Sequence, residues 1–203
     1  MNVNRTPSIA LVAAAALAAG IGAALLLRGP GPALALQSGT MLAAPRVVAP
    51  FSMVDQNASP FTQDSLKGHW TLLFAGFTHC PDVCPTTLAT LRAVGDKLGA
   101  KAPALVFLSV DPARDTPGVL RRYVEFFGSG ITGLSGSAES LDALCTSLGL
   151  AYVKVPGASE AEYTMDHSSA LVLIDPQGRV AGYFTPPHKV DTLAADLSRV
   201  VES

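Results

Sequence analysis

Residues 70–88 have the sequence Trp70-Thr-Leu-Leu-Phe-Ala-Gly-Phe77-Thr-His-Cys80-Pro-Asp-Val-Cys84-Pro-Thr-Thr-Leu88. The apolar run that ends at Phe77 is followed by a loop of cysteines and prolines, which is typical of a strand buried on both faces. Cys80 and Cys84 lie on this loop, which leads into a helix. A four-residue spacing at a helix start brings both sulfurs to one side, and the positive helix N-terminus lowers thiol pKa values. The stretch therefore predicts thiolate chemistry at the end of a central strand.

The rest of the chain alternates strands and helices. Apolar runs predict strands at 104–110 and 170–174, and the turn Asp175-Pro176-Gln177-Gly178 predicts a hairpin with a strand at 179–184. Amphipathic spacing predicts helices, which we place at 86–98, 117–127, 140–148 and 190–201. This order predicts an α/β fold with a mixed central sheet flanked by helices.

Charged residues are distributed unevenly along the chain. Residues 1–44 contain two charged side chains, Arg5 and Arg28, whereas residues 45–203 contain 12 basic and all 16 acidic ones. The second part has the composition and length of one soluble domain with its own core. Its mild net acidity and its lack of clustered Lys and Arg exclude nucleic acid as a partner.

The N-terminal segment predicts export. Residues 9–27 lack charged and polar side chains, and a helix of that length would extend about 28 Å, close to the thickness of a bilayer core. A cleaved signal peptide is the alternative, because Ala33-Leu34-Ala35 resembles a cleavage site. We expect residues 1–8 in the cytoplasm, 9–27 as the membrane anchor or signal sequence, 28–47 as a flexible tether and 48–203 as the functional domain. The chain would be a single-pass protein of a bacterial inner membrane, with its soluble domain in the periplasm.

The two loop cysteines suit three kinds of chemistry: disulfide exchange, half of a zinc site, or soft ligands for copper(I). A zinc site would need about two further nitrogen or sulfur ligands, and the sequence offers isolated histidines and Cys145. Cys145 and the neighbouring leucines recur at helical spacing on one face of a predicted helix, so we interpret Cys145 as a core residue. The residues alone leave these uses open.

Three separated motifs resemble the Sco/SenC family of copper chaperones. They are Gly76 to Thr87 with its two cysteines, Ser109-Val-Asp-Pro-Ala-Arg-Asp-Thr-Pro117, and Tyr163-Thr-Met-Asp-His-Ser-Ser169 followed by Leu173-Ile-Asp-Pro-Gln-Gly178. The resemblance implies a thioredoxin-like fold with an inserted hairpin, and extra N-terminal strands from residues 51–66. It further implies one copper ion per domain, with Cys80, Cys84 and His167 as the metal ligands.

The resemblance also implies a function. The domain would be a metallochaperone that delivers copper to the dinuclear copper centre of cytochrome c oxidase subunit II. The alternative is a membrane-anchored thiol-disulfide oxidoreductase that reduces the copper-ligand cysteines of the same partner, with Cys80 and Cys84 as its redox pair. The absence of a proline before strand 170–174, where a thioredoxin has one, favours a metal site over an exchange groove. The sequence identifies neither a copper donor nor a thiol reductant.

Further roles are predicted for three polar residues near these motifs. Asp82 could order the loop or adjust the metal site, and Asp166 could orient a partner or His167. We interpret His79 as packing within the loop or contacting a partner.

Two further groups are predicted to be structural. Asp111, Arg114 and Asp115 should form an ion-pair and capping network at the end of the second strand. His69 and His188 carry no motif, and we expect both to be solvated.

Overall fold

The computed structural model describes residues 35–159 and 162–202, together with residues 13, 14, 16, 17 and 20, which are helical. The chain divides into two units, Met1–Ala33 and Leu34–Ser203. Most of the described residues belong to the second unit. The predicted cytoplasmic N-terminus at 1–8 and most of the predicted membrane span at 9–27 lie outside the described residues. Within the described part, no helix is long and apolar enough to cross a membrane.

An eight-stranded mixed sheet forms the centre of the domain. Its spatial strand order is β1-β10-β9-β4-β5-β6-β2-β3, and β7 and β8 form a separate two-stranded sheet. The strands are β1 Gly39–Val47, β2 Ser52–Asp55, β3 Pro60–Thr62, β4 Thr71–Gly76, β5 Ala104–Ser109, β6 Ile131–Ser135, β7 Tyr152–Val155, β8 Thr164–His167, β9 Leu171–Ile174 and β10 Arg179–Phe184. The helices are α1 Val83–Leu98, α2 Pro117–Phe127, α3 Ala138–Leu148 and α4 Val190–Val201, with short 3-10 helices at Gln63–Leu66 and Gly99–Lys101.

Strand β4 lies in the interior of this sheet. All six of its residues are buried, and it pairs in parallel with β5 and antiparallel with β9. Because both faces of β4 are covered, its sequence is a continuous apolar run and does not alternate between apolar and polar residues. The predicted α/β class is confirmed, and the four predicted strands agree with β4, β5, β9 and β10 to within one residue at each end.

The extra N-terminal strands predicted from residues 51–66 are confirmed as β2 and β3, which pair antiparallel as a hairpin. Its turn is closed by the Asp55 carboxylate, which accepts the backbone N–H groups of Asn57 at 2.7 Å and Ser59 at 2.8 Å. Asp is favoured in such turns because its short side chain accepts hydrogen bonds from nearby backbone. Strand β2 continues the central sheet by pairing antiparallel with β6.

The predicted tether is wrong for residues 39–47, which form strand β1. This strand pairs antiparallel with β10, with an irregularity in register between Met41 and Arg46. Pro45 lies within that irregularity, and an edge strand tolerates a proline there because no ladder hydrogen bond is required of it. Just before β1, the backbone N–H of Ser38 donates to the buried Asp196 carboxylate of α4 at 2.8 Å. The ordered domain therefore begins earlier than the composition indicates.

Helix α1 begins at Val83, three residues before the predicted start. Pro85 occupies the first turn, where a backbone N–H would have no partner within the helix, so the proline costs no hydrogen bond. Asp82 is the N-cap residue, although its side chain makes no capping hydrogen bond. Cys84 is consequently the second residue of α1.

Candidate functional site

Cys84 is in the first turn of α1, and its sulfur lies against Gly76 at the end of β4. Its side chain is fully buried, with 0% exposure. Burial is the main reason that its pKa is raised well above the ordinary thiol value, and the neighbouring Cys80 sulfur raises it further. The prediction that the pKa of this thiol is lowered is therefore wrong, because desolvation of the buried sulfur dominates. At neutral pH Cys84 is a thiol in the absence of a bound cation.

Gly76, the last residue of β4, makes room for this sulfur. A Cβ atom added at Gly76 would lie 3.0 Å from the Cys84 Sγ atom and 2.7 Å from the Phe107 ring. Glycine at a strand end commonly marks such a close approach. Gly76 was not among the predicted site residues, since the need for space at this position appears only when α1 packs against the end of β4.

Cys80 lies on the loop between β4 and α1 and is half-buried. Its Sγ atom accepts the backbone N–H of Cys84 at 3.4 Å, while its own N–H donates to the Phe77 carbonyl at 3.2 Å. The N–H at the start of α1 is thus directed at the Cys80 sulfur. Cys80 and Cys84 are both free cysteines.

His167 is the last residue of β8, on the separate hairpin. Its Nε2 atom lies 3.6 Å from the Cys84 Sγ atom, and its Nδ1 atom lies 3.1 Å from the Ser168 carbonyl oxygen. Because a carbonyl can only accept, that contact is a hydrogen bond when Nδ1 carries the proton, which leaves the Nε2 lone pair facing the sulfur. The imidazole ring packs edge-on against Phe74 and Phe77, with ring centres 6.1 and 6.0 Å away.

The structure thus brings the three predicted site residues to one end of the domain. Cys84 and His167 are in contact, and Cys80 is joined to Cys84 through the backbone hydrogen bond. Over the described residues, no group of three or more His, Cys, Asp or Glu side chains is already arranged to hold a metal ion. Two sulfurs and one imidazole nitrogen are nevertheless the donor atoms that a soft metal ion such as copper(I) prefers.

The loop formed by residues 111–115, which follows β5, supports the cysteine loop. Its Asp115 side chain is fully buried and accepts three hydrogen bonds: from Thr78 N at 3.0 Å, Thr78 Oγ1 at 2.6 Å and Ser109 Oγ at 2.6 Å. Thr78 lies two residues before Cys80. The predicted ion pair between Asp111 and Arg114 is confirmed, but the predicted capping is wrong, because α2 has no side-chain capping hydrogen bond. Asp115 instead holds the cysteine loop against the end of β5.

The same 111–115 loop contacts the hairpin. Asp111 is ion-paired with Arg114 and accepts the Tyr163 hydroxyl at 2.8 Å. The Arg114 guanidinium stacks on the Tyr163 ring, with its central carbon 3.6 Å from the ring centre, and its Nη1 atom donates to the Tyr163 carbonyl at 3.0 Å. Tyr163 had no predicted role, since only its place next to the histidine motif marked it in the sequence.

Two predicted acidic residues lie at the surface. Asp82 is exposed and receives a long hydrogen bond from Thr86 Oγ1 at 3.5 Å, which agrees with a role in ordering the loop. Asp166 is exposed and pairs across the hairpin with Val153. The possibility that Asp166 orients His167 is wrong, because the Ser168 carbonyl occupies that place.

The histidines outside the site differ from one another. His79 is exposed, with its Nδ1 atom 3.2 Å from the Thr78 hydroxyl, and its packing within the loop or contact with a partner stays a prediction. His69 is exposed, as predicted. His188 is half-buried instead of solvated: its Nε2 atom lies 3.1 Å from the Ser169 carbonyl, and burial lowers its pKa. The loop sequence does not indicate this burial.

Cys145 lies in the core, as predicted. It is 3% exposed within α3, next to the buried Leu144, and burial raises its pKa to about 11. A neutral thiol in apolar surroundings behaves as a small hydrophobic side chain.

Comparisons with known proteins agree on one family. Residues 39–202 match the family model described as SCO1/SenC. An SCO2-like protein of Rickettsia felis is 35% identical over 182 residues, which cover 87% of this chain and 89% of that protein. The mitochondrial SCO1 homolog 1 of Arabidopsis thaliana is 34% identical over 163 residues. The match covers 79% of this chain and 48% of that longer protein. The structure of Bradyrhizobium japonicum ScoI with copper bound superimposes with a TM-score of 0.66 and is 41% identical, over 75% of this chain and 98% of that one.

Proposed function

Because the chain belongs to the SCO1/SenC family, we propose that it is a copper-binding metallochaperone that delivers copper to the dinuclear copper centre of cytochrome c oxidase subunit II. The observation that carries this proposal is the contact between Cys84 Sγ and His167 Nε2 at the end of β4. A thiol and an imidazole from distant parts of the chain meet there, beside a second thiol. The related ScoI of B. japonicum, whose structure holds copper, supports the same function.

Cys80, Cys84 and His167 would hold the ion. Copper(I) accepts two thiolates and one imidazole in a roughly trigonal array, and the imidazole also helps to retain copper(II). Cys84 and His167 are already in contact, and the Cys80 sulfur lies beside Cys84, where it accepts the Cys84 backbone N–H and raises the pKa of the Cys84 thiol.

Copper binding would be coupled to proton release. Burial raises the pKa of Cys84, so its proton leaves only when a cation replaces it. The histidine needs no such step when Nδ1 carries the proton, because Nδ1–H is then directed at the Ser168 carbonyl and the Nε2 lone pair faces the Cys84 sulfur. Removal of the copper would return the proton to the Cys84 sulfur.

Delivery would proceed by exchange of ligands. Cys80 is the more exposed of the two thiols, so a thiolate of the partner would displace it first while Cys84 and His167 still hold the ion. A second partner thiolate would then displace Cys84. A site with few ligands, on a loop, favours such stepwise transfer.

The second candidate function is thiol-disulfide exchange. The observation that favours it is the backbone N–H of Cys84 directed at the Cys80 sulfur, an arrangement that stabilises an attacking thiolate. Cys80 and Cys84 would lose two electrons and two protons in forming their disulfide, and a disulfide of the partner would gain both to become two thiols. A cellular thiol reductant would then restore the pair.

Both functions need an exported domain. We propose that residues 9–27 anchor the chain in a bacterial inner membrane and that the domain acts in the periplasm. The composition of the N-terminal segment supports this placement.

The decisive experiment follows copper and electrons together. The reduced full-length chain in detergent is titrated with copper(I) without oxygen and then mixed with apo subunit II, in both its dithiol and its disulfide form. Copper appearing in the dithiol partner would support the chaperone, whereas new thiols in the disulfide partner would support the oxidoreductase. If the reduced chain binds no copper and transfers no electrons, both proposals are wrong.

A further inference from the structure

The hairpin of β7 and β8 carries His167 but does not belong to the central sheet. Its strands pair with each other, Tyr152 opposite His167 and Val155 opposite Thr164. At its base, the Ser168 N–H donates to the Ala151 carbonyl at 2.9 Å. The backbone ladder of the large sheet therefore does not set the distance between His167 and the cysteines, and side-chain contacts have to do so.

Arg114 provides such contacts at the opposite end of the hairpin. Its guanidinium stacks on Tyr163, the residue before β8, and donates to the Tyr163 carbonyl at 3.0 Å. Asp111, which is 3% exposed, pairs with Arg114 and also accepts the Tyr163 hydroxyl. Three interactions thus join the 111–115 loop to one residue of the hairpin, four positions before His167.

The 111–115 loop also contacts the opposite side of the site. Asp115 holds Thr78, and the Arg114 guanidinium lies 5.9 Å from the centre of the Phe77 ring, which packs against His167. The cysteine loop and the histidine hairpin are therefore attached to the same five residues. Any movement of Arg114 relative to Asp115 changes the distance between the thiols and the imidazole.

We propose that Arg114 is a positioning residue, which holds the hairpin so that His167 Nε2 faces Cys84 Sγ; this inference rests on the proposed copper-binding function. Arginine suits the task because its planar guanidinium stacks on an aromatic ring while it donates to a carbonyl and a carboxylate in its own plane. Lysine could restore the charge beside Asp111 but not the stacking. The other terminal nitrogen of the Arg114 guanidinium, Nη2, is buried and has no hydrogen-bond partner among the described residues. The stacking on Tyr163 and the hydrogen bonds of Nη1 and Nε therefore fix the side chain.

The test compares copper binding by the full-length wild-type chain and Arg114→Gln. Affinity is measured by competition with a chromophoric copper(I) chelator, and geometry by the absorption and electron paramagnetic resonance spectra of the copper(II) form. We expect affinity to fall about tenfold or more, as when outer partners of metal ligands are removed. The copper(II) spectra should shift toward those of His167→Ala. Arg114→Lys should recover only part of the affinity.

Two further variants separate positioning from stability. Arg179→Gln is the matched control, because Arg179 forms a similar ion pair with Asp175 in the turn between β9 and β10. It should lower the melting temperature and leave copper affinity and spectra unchanged. Tyr163→Leu removes the stacking partner while the ion pair of Arg114 remains, and it keeps the test valid if Arg114→Gln fails to fold. Wild-type affinity and spectra in Arg114→Gln, or in Tyr163→Leu where Arg114→Gln fails to fold, would overturn the inference. A wild-type chain that binds no copper would instead contradict the proposed function.

Discussion

The Nε2 atom of His167 lies 3.6 Å from the Sγ atom of Cys84, although the two residues are 83 positions apart in the chain. Cys84 is placed by the end of β4 and the start of α1, and His167 by a hairpin outside the central sheet. The Ser168 carbonyl orients the imidazole so that its lone pair faces the sulfur. A thiol and an imidazole in this relation form two of the three donors needed for copper(I).

Replacing His167 should separate the two proposed functions. We expect His167→Ala to lose tight copper retention, because one of three donors disappears, and to leave disulfide exchange by Cys80 and Cys84 largely intact. Copper stoichiometry after gel filtration and the rate of reduction of a disulfide substrate measure the two activities. His69→Ala, at an exposed position, is the control and should behave as wild type. Unchanged copper stoichiometry and spectrum in His167→Ala would exclude this residue as a ligand.

Gly76→Ala tests how closely Cys84 must approach the end of β4. The added methyl group would lie 3.0 Å from the Cys84 sulfur and 2.7 Å from the Phe107 ring. We expect a loss of about 1–3 kcal/mol in the free energy of unfolding, typical of overpacking, and weaker copper binding because the sulfur shifts. The control is Gly95→Ala in α1, where nothing lies within 4 Å of the added methyl group. That variant should gain about 0.5–1 kcal/mol, and chemical denaturation measures both changes.

The sequence predicted those parts of the fold in which local pattern and tertiary environment agree. The run from Trp70 to Phe77 is apolar because β4 is covered on both faces, and the α3 residues with helical spacing are buried. The candidate ligands could be named because short motifs mark them. Strand β1 was missed, since its pairing with β10 depends on partners about 140 positions away rather than on its own pattern.

Electrostatic environment and side-chain contacts across elements were harder to predict. A helix N-terminus predicts a lowered thiol pKa, yet Cys84 is fully buried and desolvation dominates. Depth of burial depends on the packing of several elements, which no local motif reports. The contact of Arg114 with Tyr163 likewise joins residues 49 positions apart, and only the three-dimensional structure brings them together.

Cys145→Ser tests the assignment of the third cysteine to the core. Serine would bring a polar hydroxyl into this apolar part of the core. We therefore expect a loss of about 1–3 kcal/mol in the free energy of unfolding. One copper ion should still bind, because Cys145 is buried in α3 among leucines. Cys80→Ser serves as the comparison and should lose copper. Loss of copper from a folded Cys145→Ser variant would show that this cysteine takes part in binding.

Asp115→Asn tests the attachment of the cysteine loop to the 111–115 loop. The buried carboxylate accepts three hydrogen bonds from Thr78 and Ser109, and the amide oxygen of Asn cannot replace both carboxylate oxygens. Hydrogen bonds to charged groups contribute about 1.5–3 kcal/mol each, so we expect a stability loss of that order. Amide hydrogen exchange at Thr78 should become faster. Exchange at Thr78 that equals the wild-type rate would mean that Asp115 does not hold this loop.

The stability of the domain should fall in mildly acidic solution because of His188. Burial lowers its pKa below 6.5 in the folded state, so the unfolded chain binds this proton more readily. The contribution of neutral His188 to stability is therefore complete above about pH 6.5 and is lost as the pH falls through the folded-state pKa. We expect His188→Gln, which stays neutral, to show a smaller decrease in unfolding free energy between about pH 7 and 5 than wild type. His69→Gln, at an exposed histidine, should keep the wild-type pH dependence. Equal slopes for wild type and His188→Gln in denaturation series across this range would show that His188 is solvated after all.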